Sequence, residues 1–212
     1  MRSIQFYFII IVLFFNTCNS LNAQNDSIYS VAMNQILLKL DIAESEYDFQ
    51  LCKSQFERIS ELKPEEWIVK YYVAYANVMS IFYNPKSNKI EAYLDEASKY
   101  IEEIGEIKTA DLSEIKTLIG LYYMARIVTN PQVNGQKYYR DIISALEEAK
   151  TINNENPRPI CLQMFFEKQL PPFLQSKIDY NIEKERARTL LKKENRNIET
   201  PYWGEFYLNA LD

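Results

Sequence analysis

The 212-residue sequence has no histidine. That removes the commonest metal ligand and the side chain that most often exchanges protons near neutrality. Ser-His-Asp and Cys-His nucleophile arrangements are excluded within the chain. Glycine is scarce, with four residues scattered at 105, 120, 135 and 204. So few glycines build no phosphate-cradling loop and disfavour a turn-rich β fold. Basic residues are outnumbered, 24 against 29 acidic, for a net charge of −5. That balance argues against nucleic acid and anionic lipid surfaces, which need clustered positive charge. Long apolar runs are missing beyond the first two dozen residues, so no membrane span is expected in the mature chain.

The beginning of the chain reads as a targeting segment. Arg2 is followed by an apolar run from Ile4 to Phe15, too short to span a bilayer comfortably but suited to a signal-peptide core. Leu21-Asn22-Ala23 offers tolerated residues for cleavage before Gln24, so 1–23 is predicted to be a signal peptide and 24–212 one domain. One alternative is a lipoprotein acylated at Cys18, although Phe15-Asn16-Thr17 is a poor lipobox; another is an uncleaved anchor. The expected location is the periplasm or the outside of the cell. Cys52 and Cys161 then remain, far apart in sequence and both within helical apolar patterns. Two buried thiols are expected.

Apolar residues recur at spacings of three and four, the helical period. Predicted helices cover 27–43, 46–62, 65–83, 89–104, 112–129, 136–152, 158–169 and 173–194, with a short terminal one after Pro201. Pro64 suits a first helical position. Asn88 with Glu91 and Asp111 with Glu114 read as capping boxes. Short connections make this an all-α chain of antiparallel neighbours.

Within FERISELKPEEW, Phe56, Ile59 and Pro64 follow the small residue Cys52 at set offsets, and ten residues past the proline stands Ala74. This resembles the second helix of a tetratricopeptide repeat (TPR) and the start of the next unit. Leu94 with Ala97 and Leu146 with Ala149 repeat the pair, and Gly120 takes the close-contact place in the third unit. Helices cross closely only where a side chain is missing, so Ala74, Ala97, Gly120 and Ala149 are the predicted crossing points. The spacing departs from the standard period of about 34 residues. Lengthening is expected chiefly at 84–88, 105–111 and 130–135.

The mature chain resembles small secreted TPR-containing proteins of Gram-negative bacteria. The carrying residues include Asp48-Phe49, Trp67 with Tyr71-Tyr72-Val73-Ala74, Asn156-Pro157-Arg158-Pro159, and the distinctive Pro201-Tyr202-Trp203-Gly204. The resemblance implies a short α-solenoid and no established activity. Trp203 is expected to cap the last helices, because a solenoid needs a covered end.

Carboxylate pairs occur at Asp95-Glu96, Glu102-Glu103 and Glu147-Glu148. Adjacent helical residues point about a hundred degrees apart, so these read as solvated faces; a carboxylate-based glycan hydrolase is a minor alternative. First helices of TPR units usually line the binding side. The predicted partner-contact residues are therefore Lys70, Tyr71, Tyr75 and Asn77 in the third helix, with Lys116 and Arg126 in the fifth. The function expected is a non-catalytic module that binds an unidentified protein or peptide, with no cofactor, metal or nucleic acid. A structural component of an envelope complex is the alternative.

Overall fold

A computed structural model of the chain describes residues 26–176 and 179–211. The predicted leader and Cys18 lie outside the described residues. All regular structure among the described residues is helical. Helix α1 covers 26–41, and α2 (Glu46–Leu62), α3 (Trp67–Tyr83), α4 (Ile90–Gly105), α5 (Leu112–Thr129), α6 (Pro131–Ile152) and α7 (Pro157–Glu167) follow. A 3-10 turn at Pro172–Leu174 leads to α8 (Tyr180–Lys193), and α9 (Glu205–Asn209) ends the chain.

Local chemistry sets most of these boundaries. Asp111 accepts the amides of Ser113 and Glu114, and Asp179 those of Asn181 and Ile182, each closing open donors of a first turn. Asn130 and Asn156 cap α6 and α7, and Pro131 and Pro157 take the first helical position, where a missing N–H costs nothing. The sixth helix therefore begins at Pro131 and not near 136; the residues expected to form a longer turn are its first turn and a half. The eighth is shorter than expected, because Pro171-Pro172 hold a 3-10 turn and the helix waits for the Asp179 cap. The capping box at Asn88 does not form: Lys89 stands at the N-cap without a side-chain bond. Pro64 lies in the turn before α3, whose N-cap is Glu66. At α5, Glu114 does not reach back to its cap; it turns inward to Arg158.

The helices stack as antiparallel pairs in a solenoid-like array. Contacts between α2 and α3, α3 and α4, and α5 and α6 dominate. The ion pair Lys63–Asp26 and the bond from Lys39 to Gln55 lay α1 antiparallel to α2. Contacts of α3 with α5, and of α5 with α7, make the odd-numbered helices one layer. Small residues mark the crossings. Ala74, Ala97 and Ala149 are fully buried, and a Cβ on Gly120 would stand 2.7 Å from Leu146 Cδ2. Cys52 and Cys161 are free and buried; burial pushes their thiols up to about 11 and about 12.

α3 is apolar nearly all round and is buried along its length, from Trp67 to Ile81, apart from Lys70. A helix with no polar face has to be covered on every side. Helices α2, α4 and α5 cover part of it. The chain's own C-terminal segment covers the rest.

Candidate ligand site

The segment 201–209 folds back across the odd-numbered layer onto α3. Pro201 is buried, and the amide of Tyr202 donates to the Tyr72 hydroxyl at 3.0 Å. Trp203 Nε1 donates to the Tyr71 hydroxyl at 3.0 Å, and its ring lies 5.2 Å from that of Tyr75. Gly204 has φ +127, a left-handed conformation that favours glycine and turns the chain into α9. Trp203 is expected from the sequence to cap the last helices; it packs instead on the aromatic rings of α3.

A buried ion network fixes this tail from behind. Arg158 Nη2 lies 2.8 Å from Glu114 Oε1, and the same guanidinium holds both oxygens of Glu194 at 2.8 and 2.9 Å. Asn156 Nδ2 donates to Glu114 at 2.8 Å, and Arg158 reaches the Trp203 carbonyl at 3.4 Å. Burial pulls the Glu114 carboxyl above its ordinary range while Arg158 opposes the shift, and the two carboxylates keep Arg158 firmly charged. A buried arginine held on both edges is a rigid strut, costly to break from one side.

Between the tail and α1–α3 lies a cleft of about 370 Å³. Its floor is buried: Leu37 and Leu40 from α1, Phe49 from α2, and Tyr72, Tyr75 and Met79 from α3. Trp203 and Tyr207 form one wall, with the Tyr207 hydroxyl directed at Met79 Sδ, 3.5 Å away. The rim is exposed and aromatic, made by Tyr83, Tyr202 and Phe206, the last 64% exposed. Burial holds the phenols of Tyr72, Tyr75 and Tyr207 well above their usual range, so they stay neutral. Small-molecule sites are commonly mostly apolar clefts of about 300–1,000 Å³ with a few polar groups. This cleft has that form, and its ring faces suit a flat, apolar ligand.

The residues predicted to contact a partner do not gather into one surface. Tyr71 and Asn77 are fully buried and Tyr75 nearly so. Tyr71 and Tyr75 lie under Trp203, while Asn77 bonds Gln50 and Glu96. Lys70 pairs with Glu103 at 2.7 Å, Lys116 with Glu148 at 2.6 Å, and Arg126 donates to Tyr122 at 2.8 Å. Only Tyr75 lines the cleft. The chain's own tail covers Tyr71 and Tyr75 of that set, and the other four are engaged by residues of neighbouring helices or of their own helix. The acidic pairs are likewise engaged: Glu96 meets Lys53 at 2.8 Å and Glu147 meets Lys150 at 2.8 Å. Sequence reasoning missed Met79, Tyr207 and the Glu114–Arg158–Glu194 network. The Pro-Tyr-Trp-Gly element was the signal that pointed towards them.

No family model and no curated protein matches the chain. Among solved structures, the HusA haemophore from Porphyromonas gingivalis is similar over 86% of this chain and 90% of that chain, with a TM-score of 0.75 and 26% identity. That likeness bears out an all-helical, solenoid-like fold, and it is compatible with an exported, non-catalytic binding protein. Among the described residues, no helix is long and apolar enough to cross a membrane, and no group of His, Cys, Asp or Glu could hold a metal ion.

Proposed function

We propose that the protein is an exported, non-catalytic carrier that holds a planar tetrapyrrole, haem above all, in the aromatic cleft beneath its C-terminal tail. The observation that carries this reading is the cleft itself, roofed by Trp203, floored by Tyr72, Tyr75 and Met79, and rimmed by Tyr83, Tyr202 and Phe206. The likeness to a haemophore supports it. Stacking on aromatic faces and burial of apolar area would supply most of the affinity. Imidazole ligation of the iron is excluded, since the chain has no histidine. Met79 Sδ and the tyrosine phenols that line the cleft carry atoms suited to haem iron. Titrating the mature chain with hemin and following the Soret band tests the reading. A saturable shift at one hemin per chain is expected; a linear rise without saturation overturns it.

A second reading keeps the protein-partner role expected from the sequence, in a TPR-like exported protein. Its support is a stripe on the outer side of α1 and the turn after it, where Ile28, Val31, Leu38 and Ile42 are 60, 54, 59 and 77% exposed, opposite the core residues Met33, Ile36, Leu37 and Leu40. Terminal helices of solenoids ordinarily show water a polar face. Specific recovery of an envelope protein that Ile42→Glu abolishes would favour this reading, and equal recovery by both forms would remove its support.

A further inference from the structure

A cation stands beside two residues of the cleft lining, Asp41 and Tyr202. Arg196 lies in the extended stretch between α8 and the tail, and its guanidinium is ion-paired with Asp41 at the end of α1. The same guanidinium sits over the Tyr202 ring, 5.6 Å from its centre. Asp41 and Tyr202 both line the cleft, one from the end of α1 and the other from the tail. The pair therefore links the first helix to the tail, across 155 positions of sequence. It is solvated: the Arg196 side chain is 28% exposed and that of Asp41 39%. Exposed pairs contribute little to stability and exchange partners readily.

The rest of the lining is apolar or phenolic, apart from Glu205 on the rim, a second acid. Asp41 and Glu205 disfavour an anionic ligand within the cleft unless Arg196 is given up to it; Arg188 and Lys192 line the neighbouring depression that Tyr202 and Glu205 share. Arginine binds a carboxylate through two parallel N–H donors, and another carboxylate can take the same fork.

We propose that Arg196 is the docking point for a carboxylate of the bound macrocycle, and that Asp41 occupies that place while the cleft is empty. This deepens the carrier reading and rests on it: the ligand is a flat aromatic ring system bearing acidic side arms, its ring against Tyr75 and Trp203 and one arm turned out to Arg196. Asp41 then acts as an internal competitor. Releasing it also loosens the link between α1 and the tail, the two walls the ligand has to part.

The test uses the mature chain, hemin, and hemin dimethyl ester, whose carboxylates are masked. Wild type should bind hemin about tenfold more tightly than the ester, the factor expected for one charge-assisted contact. Arg196→Gln should bring hemin down to the affinity of the ester and leave the ester unchanged, and Arg196→Lys should recover part of the loss. Asp41→Asn should bind hemin several-fold more tightly than wild type. The proposal is overturned if Arg196→Gln binds hemin as wild type does, or weakens hemin and ester alike, which would mark Arg196 as a prop for the cleft wall. If wild type binds neither compound, the carrier reading falls, and this one with it.

Discussion

The indole Nε1 of Trp203 donates a 3.0 Å hydrogen bond to the hydroxyl of Tyr71, 132 residues earlier. That bond joins the last segment of the chain to α3, which is buried along most of its length. It closes a circuit, since the Tyr71 hydroxyl also lies 3.5 Å from Glu114, which Arg158 holds while touching the Trp203 carbonyl. Replacing Trp203 by alanine should remove a cleft wall and leave the Tyr71 oxygen without its donor. Trp203 is half-buried, so a loss at or below the lower end of the about 3–5 kcal/mol typical of buried tryptophans is expected in urea unfolding. Trp203→Phe should keep the ring and cost less. In a double-mutant cycle with Tyr71→Phe, the coupling should be about 1 kcal/mol.

Glu114 and Arg158 are 4 and 5% exposed at their side chains, so removing Arg158 leaves a buried carboxylate without its cation, and removing Glu114 leaves a buried guanidinium held by Glu194 alone among carboxylates. Glu114→Ala should cost about 3–5 kcal/mol, measured as a shift of the unfolding midpoint. Pairing it with Arg158→Met should cost clearly less than the two single losses together, because the charge then left without its arginine is Glu194, which is partly exposed to water.

Two glycines predict opposite kinds of damage. At Gly204 the nearest atoms to an added Cβ, from 3.4 Å outwards, leave room, and the cost lies in φ +127 alone. Gly204→Ala should lose about 1–2 kcal/mol whatever its neighbours are. At Gly120 the backbone is helical and the obstacle is Leu146, 2.7 Å from the added carbon. Gly120→Ala should cost about 1–3 kcal/mol by overpacking. The loss should shrink when Leu146 is shortened to valine, while the same shortening does nothing for Gly204→Ala.

Glu46 opens α2 and takes hydrogen bonds from Tyr93 at 2.6 Å, Ser87 at 2.7 Å and Asn84 at 2.6 Å. The Tyr93 and Ser87 bonds lead in holding its carboxyl below the ordinary value of 4.5. Its folded value is thus lower than its unfolded one, and the unfolded chain takes up the proton first as the solution is acidified. The stabilisation is complete above the ordinary value of 4.5 and is lost as pH falls through the lower folded value. Melting temperatures between about pH 6 and pH 3 should fall less steeply for Glu46→Gln than for wild type. Parallel curves would show that Glu46 contributes nothing to the acid limb.

Much of the architecture was legible in the sequence. Helical spacing of apolar residues, Asp111 with its two acceptor contacts, and prolines after asparagine placed most helices within a few residues. Small residues such as Ala74 and Gly120 marked the crossings, because a close approach leaves a local trace in residue size. The site was far less legible. Tyr71, Tyr75 and Asn77 carry polar atoms on a first helix, and nothing local tells whether such a helix faces water or another part of the chain. The answer depends on the tail, more than a hundred residues away, and on Arg158, whose partners Glu114 and Glu194 come from different helices and loops. Periodicity reports a residue's own helix face; it carries no information on what a distant segment lays upon it.

The most direct test of the carrier reading uses the position of Trp203. The chain has two tryptophans, and Trp67 packs edge-on to Tyr71 away from the cleft lining. In a Trp67→Phe protein, Trp203 is the one indole, and hemin seated in the cleft would lie against it. Hemin titration should quench that fluorescence almost completely, saturating at one equivalent together with the Soret change. Saturation of the Soret change with Trp203 emission largely retained would place the ligand elsewhere and contradict the account.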